Sequence, residues 1–325
     1  MMKVKIGIVG LGEHSLRAHV KHLINDSRVE IVAVFDPDVN SENNLKEYIS
    51  TPLFFTDENK FWKTHMDAVI IASPDKYHAQ QMSRAIELGL HIFCEKPMCV
   101  SMEDLAILNK VVKLSQEKNL VLSTCHPRRL DPPFIWLKEK IDNGELYNEL
   151  GSILHFDFNF WYKKIQDTPE DEWKKKRSLL SDHFGHEIDL LAFLCPSEIN
   201  DINAIAHMDS YNHYEVTGST ETELKFRFLG LRMINYSVYE EVIQLNGQKG
   251  SWILNLSHGK LIKVPSMEVV DIPSINYDVR FSAVNINFID AILGVNGSYI
   301  THEDILRNNT LSVYLQNNKV AVWNS

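Results

Sequence analysis

Along the first third of the chain, short runs of β-branched and aliphatic residues alternate with stretches whose apolar positions recur every three or four residues. The strand-like runs are 4–9, 29–35, 68–72, 91–94 and 120–124, and the helix-like stretches are 15–24, 41–48, 76–88 and 102–117. This one-for-one alternation predicts repeated strand–helix–strand units, and therefore a doubly wound parallel sheet covered by helices on both faces. After Thr124 the rhythm changes. A helix-like 134–142 and an aromatic-rich 153–162 precede a charged loop containing Pro169 and a helical stretch over 180–191. Consecutive strand patterns then run from 199 to 264, punctuated at Asn212, Gly230, Asn246-Gly247 and His258-Gly259, before helical patterns at 282–293 and 302–315. The pattern predicts an α/β domain over 1–124 and a second, α+β domain over 125–325. The second has a large open, mostly antiparallel sheet, and the last helix is able to pack back on the first domain.

Composition narrows the function. A chain of 325 residues, 44% hydrophobic and 23% charged, is long enough for two cores. Its formal net charge of -10 opposes binding to nucleic acid, and no basic recognition motif offsets it. No apolar run reaches the ~18 residues of a membrane span, and a strand pattern beginning at Lys3 leaves no room for a signal peptide, so no membrane partner and a cytoplasmic location are expected. Cys94, Cys99, Cys125 and Cys195 have neither zinc-ribbon spacing nor the density of a disulfide scaffold, and read as reduced, mostly buried thiols.

Gly10-Leu11-Gly12-Glu13-His14-Ser15 follows the apolar run of 5–9 and opens a helical pattern, the context in which a glycine motif signals a dinucleotide site. Gly10 permits a tight turn, Gly12 lets backbone approach a pyrophosphate, and Ser15 is small enough to stand for the third glycine. The second strand pattern ends at Asp36, about 20 residues further on, where an acidic residue grips a ribose 2′-hydroxyl and repels a 2′-phosphate; NAD is expected in preference to NADP. This identifies the first domain as a Rossmann domain.

Two further segments make the pattern specific. Phe93-Cys94-Glu95-Lys96-Pro97-Met98 ends the fifth strand, and Ala72-Ser73-Pro74-Asp75-Lys76-Tyr77-His78 follows the fourth. A lysine at a strand's carboxyl end, beside the ligand crevice of an open α/β sheet, is a poor structural choice and a good catalytic one. Together with Arg128-Arg129-Leu130-Asp131-Pro132 and Thr301-His302-Glu303-Asp304, these residues resemble the glucose-fructose oxidoreductase/inositol dehydrogenase (Gfo/Idh/MocA) family over nearly the whole chain. The resemblance implies a cofactor site including Gly10, Gly12, Glu13, His14, Asp36, Ser73, Pro74, His78, Glu95 and Lys96.

In the 180–191 stretch, Asp182, His186 and Asp189 fall at i, i+4 and i+7 on one helix face, a geometry open to a metal site, an acid/base pair or a helix cap. The segment is similar to the family's Asp-x-Gly-x-His-x-x-Asp, which implies catalytic roles for Lys96, Asp182 and His186, with Arg129 also on the substrate. Lys96 would stabilise charge on an alcohol oxygen, His186 would take its proton, and Asp182 would orient either the imidazole or the substrate. A metal would leave the lysine unexplained, so none is expected. Asp189 reads as a buried hydrogen-bonding partner. Phe184 stands where the family commonly has glycine and is expected to reshape a pocket wall. The basic run Lys174-Lys175-Lys176-Arg177 reads as a solvated loop or as a contact for an anionic substrate group.

The expected activity is NAD-dependent hydride transfer at a secondary hydroxyl or ketone of a sugar, cyclitol or sugar derivative. Its rivals are a non-catalytic NAD-binding regulator and an NAD-dependent glycosidase or eliminase that oxidises its substrate transiently. A homodimer or homotetramer is expected, joined through the open sheet.

Overall fold

The computed structural model describes residues 3–49, 53–163, 179–207, 213–233, 240–277, 280–318 and 320–323. The chain divides into two compact units, Met1–Pro127 with Tyr277–Val313, and Arg128–Asn276 with Tyr314–Ser325. Residues 277–313, which include most of the last helix pattern at 302–315, belong with the first unit.

The first unit is built on β1 (Val4–Val9), β2 (Val29–Phe35), β3 (Leu53–Phe55), β4 (Ala68–Ile71), β5 (His91–Cys94) and β6 (Leu122–Thr124). They lie in the order β3-β2-β1-β4-β5-β6 with every neighbouring pair parallel. β4 is buried at all its positions and β1 at all but one, as middle strands must be when helices cover both faces. The winding direction reverses between β1 and β4, so the loops leaving these two strands part at their carboxyl ends and open a crevice.

Local chemistry explains the surrounding helices. Met102–Glu117 begins where Ser101 Oγ accepts the Asp104 N–H at 3.1 Å, with Glu103 and Asp104 in the first turn opposing the helix dipole. Leu105, Leu108, Val111 and Val112 from this helix enter the core that also holds Ile92 and Leu122. The returning segment is tied to the same core through Ile300, Ile305 and Val313, and Arg28 reaches Asp290 at 2.6 Å.

The second unit holds a nine-stranded sheet of β7 (Ile153–Lys163), β8 (Ile199–His207), β9 (His213–Thr220), β10 (Lys225–Met233), β11 (Glu240–Gly247), β12 (Ser251–Asn255), β13 (Lys260–Val264), β14 (Glu268–Asp271) and β15 (Val320–Trp323). The order is β14-β13-β12-β11-β7-β10-β9-β8-β15, antiparallel except at β7/β10 and β8/β15. The period of two is visible in burial: Phe156, Phe158, Phe226, Phe228, Ile243, Leu245, Trp252 and Leu254 are buried on one face while Arg227, Gln244 and Ile253 between them stay half-open. The helix Leu179–Leu194 packs against β9 and β10. Among the described residues no helix is long and apolar enough to cross a membrane.

Gly230 departs from expectation. It does not break a strand but lies inside β10, opposite Tyr214, whose ring atoms would stand 2.2 Å from an added Cβ. Glycine here makes room for an aromatic ring, a role that looks like a turn in sequence. β3, β14 and β15 have three or four residues each, too few for a period to show.

In this unit two buried arginines, Arg128 and Arg129, meet buried acids. Arg128 Nε donates to Glu241 Oε2 at 2.9 Å, its guanidinium 4.9 Å from the Phe160 ring centroid. Glu187, on the helix, is also buried, and burial pushes its carboxyl up to about 7, Arg128 drawing it down and Glu241 adding to the rise. Between its unfolded value of 4.5 and about 7 the folded chain therefore holds a proton that the unfolded chain has released, and stability falls as pH rises through that window. Glu187→Gln should remove the dependence: denaturant unfolding at pH 5 and pH 8 should show the variant gaining at the higher pH by up to about 3 kcal/mol over wild type. Parallel pH profiles for the two proteins would contradict this.

Candidate active site

In the first unit the crevice is lined by three strand ends. The loop after β1 carries Gly10 at φ +88°, and an added Cβ would come within 2.6 Å of Ser73 backbone, so only glycine allows the β1 and β4 loops to touch. Gly12 is different. A Cβ there would meet nothing within 4 Å, leaving open space above the loop. The helix starting at Glu13 has no side-chain cap, so its first-turn N–H groups are not taken up by one, and Glu13 itself is exposed. Ser15 is buried, as a helix–strand contact requires.

Asp36, at the end of β2, accepts the Leu11 N–H at 2.7 Å and the Asp38 N–H at 2.9 Å. Its carboxylate thus holds the glycine loop as well as standing where a ribose would be gripped. An open space over Gly12, uncapped helical N–H groups and an acid at the neighbouring strand end fit a dinucleotide.

Ser73 donates through Oγ to Gln81 Oε1 at 2.6 Å, and Pro74 is exposed. His78 is buried, with Nε2 2.7 Å from the Ser73 carbonyl and Nδ1 2.8 Å from the Pro97 carbonyl. Both ring nitrogens face backbone carbonyls, so the ring bridges the β4 and β5 loops rather than offering a polar atom to a cofactor.

Glu95, the last buried residue before Lys96, is the hub. Its Oε1 lies 3.0 Å from His14 Nε2 and 2.9 Å from His19 Nε2, and its Oε2 accepts the Lys96 N–H at 3.2 Å. Cys125 adds a side-chain hydrogen bond. Burial opposes ionisation of Glu95, but the charges and hydrogen bonds of His14 and His19 outweigh it and hold the carboxyl well below the usual range. Burial and the neighbouring Glu95 push the Cys125 thiol well up. Met98 N–H is taken by Asn309 Oδ1 at 3.2 Å, and Tyr299 hydroxyl donates to the Thr124 carbonyl, so the returning segment buttresses the strand ends.

His19, Asn285, Asn309 and Tyr299 carry no sequence motif. His19 arrives because the first helix runs as Glu13–Ser15, a π turn over Leu16–Val20, then Lys21–Leu23; the wider turn carries one extra residue and turns His19 fully inward. A buried histidine at this position reads in sequence as one more member of an amphipathic helix.

In the second unit, Leu179–Leu194 places Asp182 and His186 on a half-buried part of one face and Asp189 on its buried continuation. Asp182 Oδ2 is 3.2 Å from His183 Nε2, and the His183 and His186 rings are 6.1 Å apart. Arg129, expected on the substrate, is buried instead and forks on Asp189: Nε to Oδ2 at 2.9 Å and Nη2 to Oδ1 at 2.7 Å. The bidentate pair satisfies both charges in the interior, which gives Asp189 the buried partnership expected of it. Phe184 is a core side chain, 2% exposed with its ring 6.5 Å from that of Phe228, rather than the wall of a pocket. Lys174, Lys175, Lys176 and Arg177 lie outside the described residues.

Comparison with known proteins bears on these features. Residues 4–126 match the model of the oxidoreductase family with an NAD-binding Rossmann fold (GFO_IDH_MocA). The chain is similar to 1-carboxy-3-chloro-3,4-dihydroxycyclohexa-1,5-diene dehydrogenase of Comamonas testosteroni, 24% identical over 73% of this chain and 58% of the relative. It thus spans less than two thirds of that relative's length. It is also similar to myo-inositol 2-dehydrogenase of Thermotoga maritima, 22% identical over 76% of this chain and 74% of the relative. Its fold is that of scyllo-inositol dehydrogenase from Lactobacillus casei, solved with bound NAD(H) and scyllo-inositol, at a TM-score of 0.80 and 21% identity over 98% of this chain and 97% of the other. With its glycine loop and its Glu95-Lys96-Pro97 strand end in a sheet of this order, the first unit is matched over residues 4–126 by the Gfo/Idh/MocA oxidoreductase family with its NAD-binding Rossmann fold.

Proposed function

We propose that the protein is an NAD-dependent dehydrogenase that oxidises a secondary hydroxyl of a cyclitol or sugar, or reduces the matching ketone. The observation that carries this reading is Lys96 at the carboxyl end of β5, in the same crevice as the open glycine loop and Asp36. Support also comes from relatives named for inositol and dihydroxy-ring substrates. NAD, when bound, supplies the hydride acceptor. Lys96 hydrogen-bonds the alcohol oxygen and stabilises negative charge there, and His186 takes the hydroxyl proton. Asp182 orients that imidazole or the substrate. The first unit holds the dinucleotide and the second supplies substrate contacts. The second unit also carries the subunit contact of a homodimer or tetramer through its open sheet face, where Leu229, Val242 and Ile253 stand half-buried.

Two experiments test the reading. Release of NADH followed by absorbance over a panel of inositols, hexoses and phosphorylated sugars should find one neutral polyol turned over. Lys96→Ala and His186→Ala should each bind NAD nearly normally and lose ~10²- to 10⁴-fold in turnover. Wild-type turnover in His186→Ala would remove it as the base.

Cofactor choice rests on the charge of Asp36. Asp36→Asn keeps an acceptor for the Leu11 N–H while removing the repulsion of a 2′-phosphate. Titration of both cofactors should therefore show NADP gaining on NAD by roughly tenfold, about 1.4 kcal/mol, with little loss of thermal stability. Asp36→Ala should lose stability as well, because the loop is released. An unchanged preference in Asp36→Asn would mean that the carboxylate serves the loop alone.

A further inference from the structure

The hydrogen bonds around His19 determine where its protons are. Asn285 Nδ2 donates to the carbonyls of Ala18 and Phe281, each at 2.7 Å, which orients the amide and turns Oδ1 toward His19. Oδ1 lies 3.1 Å from His19 Nδ1 and can only accept, so Nδ1 carries a proton. A neutral ring would then present the bare lone pair of Nε2 to Glu95 Oε1, 2.9 Å away, in a place with no exposure to water. Against the carboxylate form of Glu95 that contact is attractive only with a second proton on the ring.

The groups facing this ring are few. Glu95 faces it from the end of β5 and His14 from its own helix, with ring centroids 6.2 Å apart. Asn285 faces it from the helix Arg280–Ile292, and the Phe93 ring meets it edge-on at 5.2 Å. His22, on the same helix, is drawn down by burial, by Lys21 and by the charge of His19.

We propose that His19 is a positioning residue: clamped as an imidazolium between Asn285 and Glu95, it holds the Glu95 carboxylate in place, and through it the Lys96 backbone and the His14 ring beside the glycine loop. The chain of contacts is continuous. Asn285 fixes His19, His19 fixes Oε1, the same oxygen takes His14, and Oε2 takes the Lys96 N–H. Its effect on turnover rests on the dehydrogenase reading; the protonation state and the effect on cofactor binding do not.

The test uses the full-length protein. In ¹⁵N-histidine NMR of the wild type without added cofactor, both His19 nitrogens should remain protonated from pH 6 to pH 8, and replacing Asn285 with Leu should remove that state at the upper end. NAD titration should show His19→Leu weakened at least tenfold, with His19→Gln, whose amide still donates to Glu95, recovering most of the loss. Circular dichroism checks folding, and if His19→Leu does not fold, the NMR signature and the Asn285→Leu and His19→Gln titrations carry the test. A singly protonated His19 at pH 7 overturns the proposal, as does wild-type NAD affinity in His19→Leu. Because His14 Nε2, His19 Nε2 and a Glu95 oxygen lie within 4.8 Å of one another, one equivalent of zinc retained by the purified protein, and lost in His19→Gln, would also overturn it in favour of a metal site. Absence of turnover on every polyol would sink the dehydrogenase reading while leaving the NMR and titration results standing.

Discussion

A carboxylate shut away from water needs a donor at each lone pair it can no longer offer to solvent, and Glu95 at the end of β5 is met by His14, His19, the Lys96 N–H and Cys125. The donors come from three parts of the first unit. His14 and His19 bring the helix after the glycine loop, Cys125 the segment after β6, and Asn285, behind His19, the returning segment of 277–313. Removing any one leaves the others bonded to a buried charge with fewer partners, which is costlier than removing an exposed ion pair. The residue that precedes the proposed catalytic lysine is therefore also the point to which the unit's loops are fastened.

The same economy governs the second unit at another place. Arg128 and Arg129 are adjacent in sequence and turn to different acids, Arg128 to Glu241 on β11 and Arg129 to Asp189 on the helix Leu179–Leu194. Between them they anchor that helix and the sheet to one short segment. Glu187 stands beside this arrangement without a cation of its own and stays protonated to about 7. The helix carrying Asp182 and His186 is thus held at its buried end by a bidentate ion pair, which fixes its rotation and leaves the other end of the face half-open to solvent.

Much of the fold was legible without coordinates. Period-two and period-3.6 patterns marked most of the strands and helices, because burial on a sheet face or a helix stripe repeats at those intervals and nothing else in the chain does. Gly10, Gly12 and Asp36 were legible because a tight turn, an open approach and a strand-end acid each demand one narrow residue type. Gly230 was misread because glycine serves equally for a turn and for the close approach of Tyr214, and only the cross-strand register tells the two apart.

What the chain alone determined was local: the elements, their periods, the cofactor loop and the residue types able to move a proton or steady an oxyanion. What tertiary structure decided was partnership. Arg129 looks like a substrate ligand until Asp189, 60 residues away, occupies its fork, and His78, readable from sequence as a cofactor contact or as a capping or packing residue, has both its nitrogens on the Ser73 and Pro97 carbonyls. His19 and Asn285, 266 residues apart, carry no motif at all. A hydrogen bond is set by distance and direction in space, and sequence separation does not encode either, so charge and type can be read from the chain while the question of which groups satisfy one another waits on the fold.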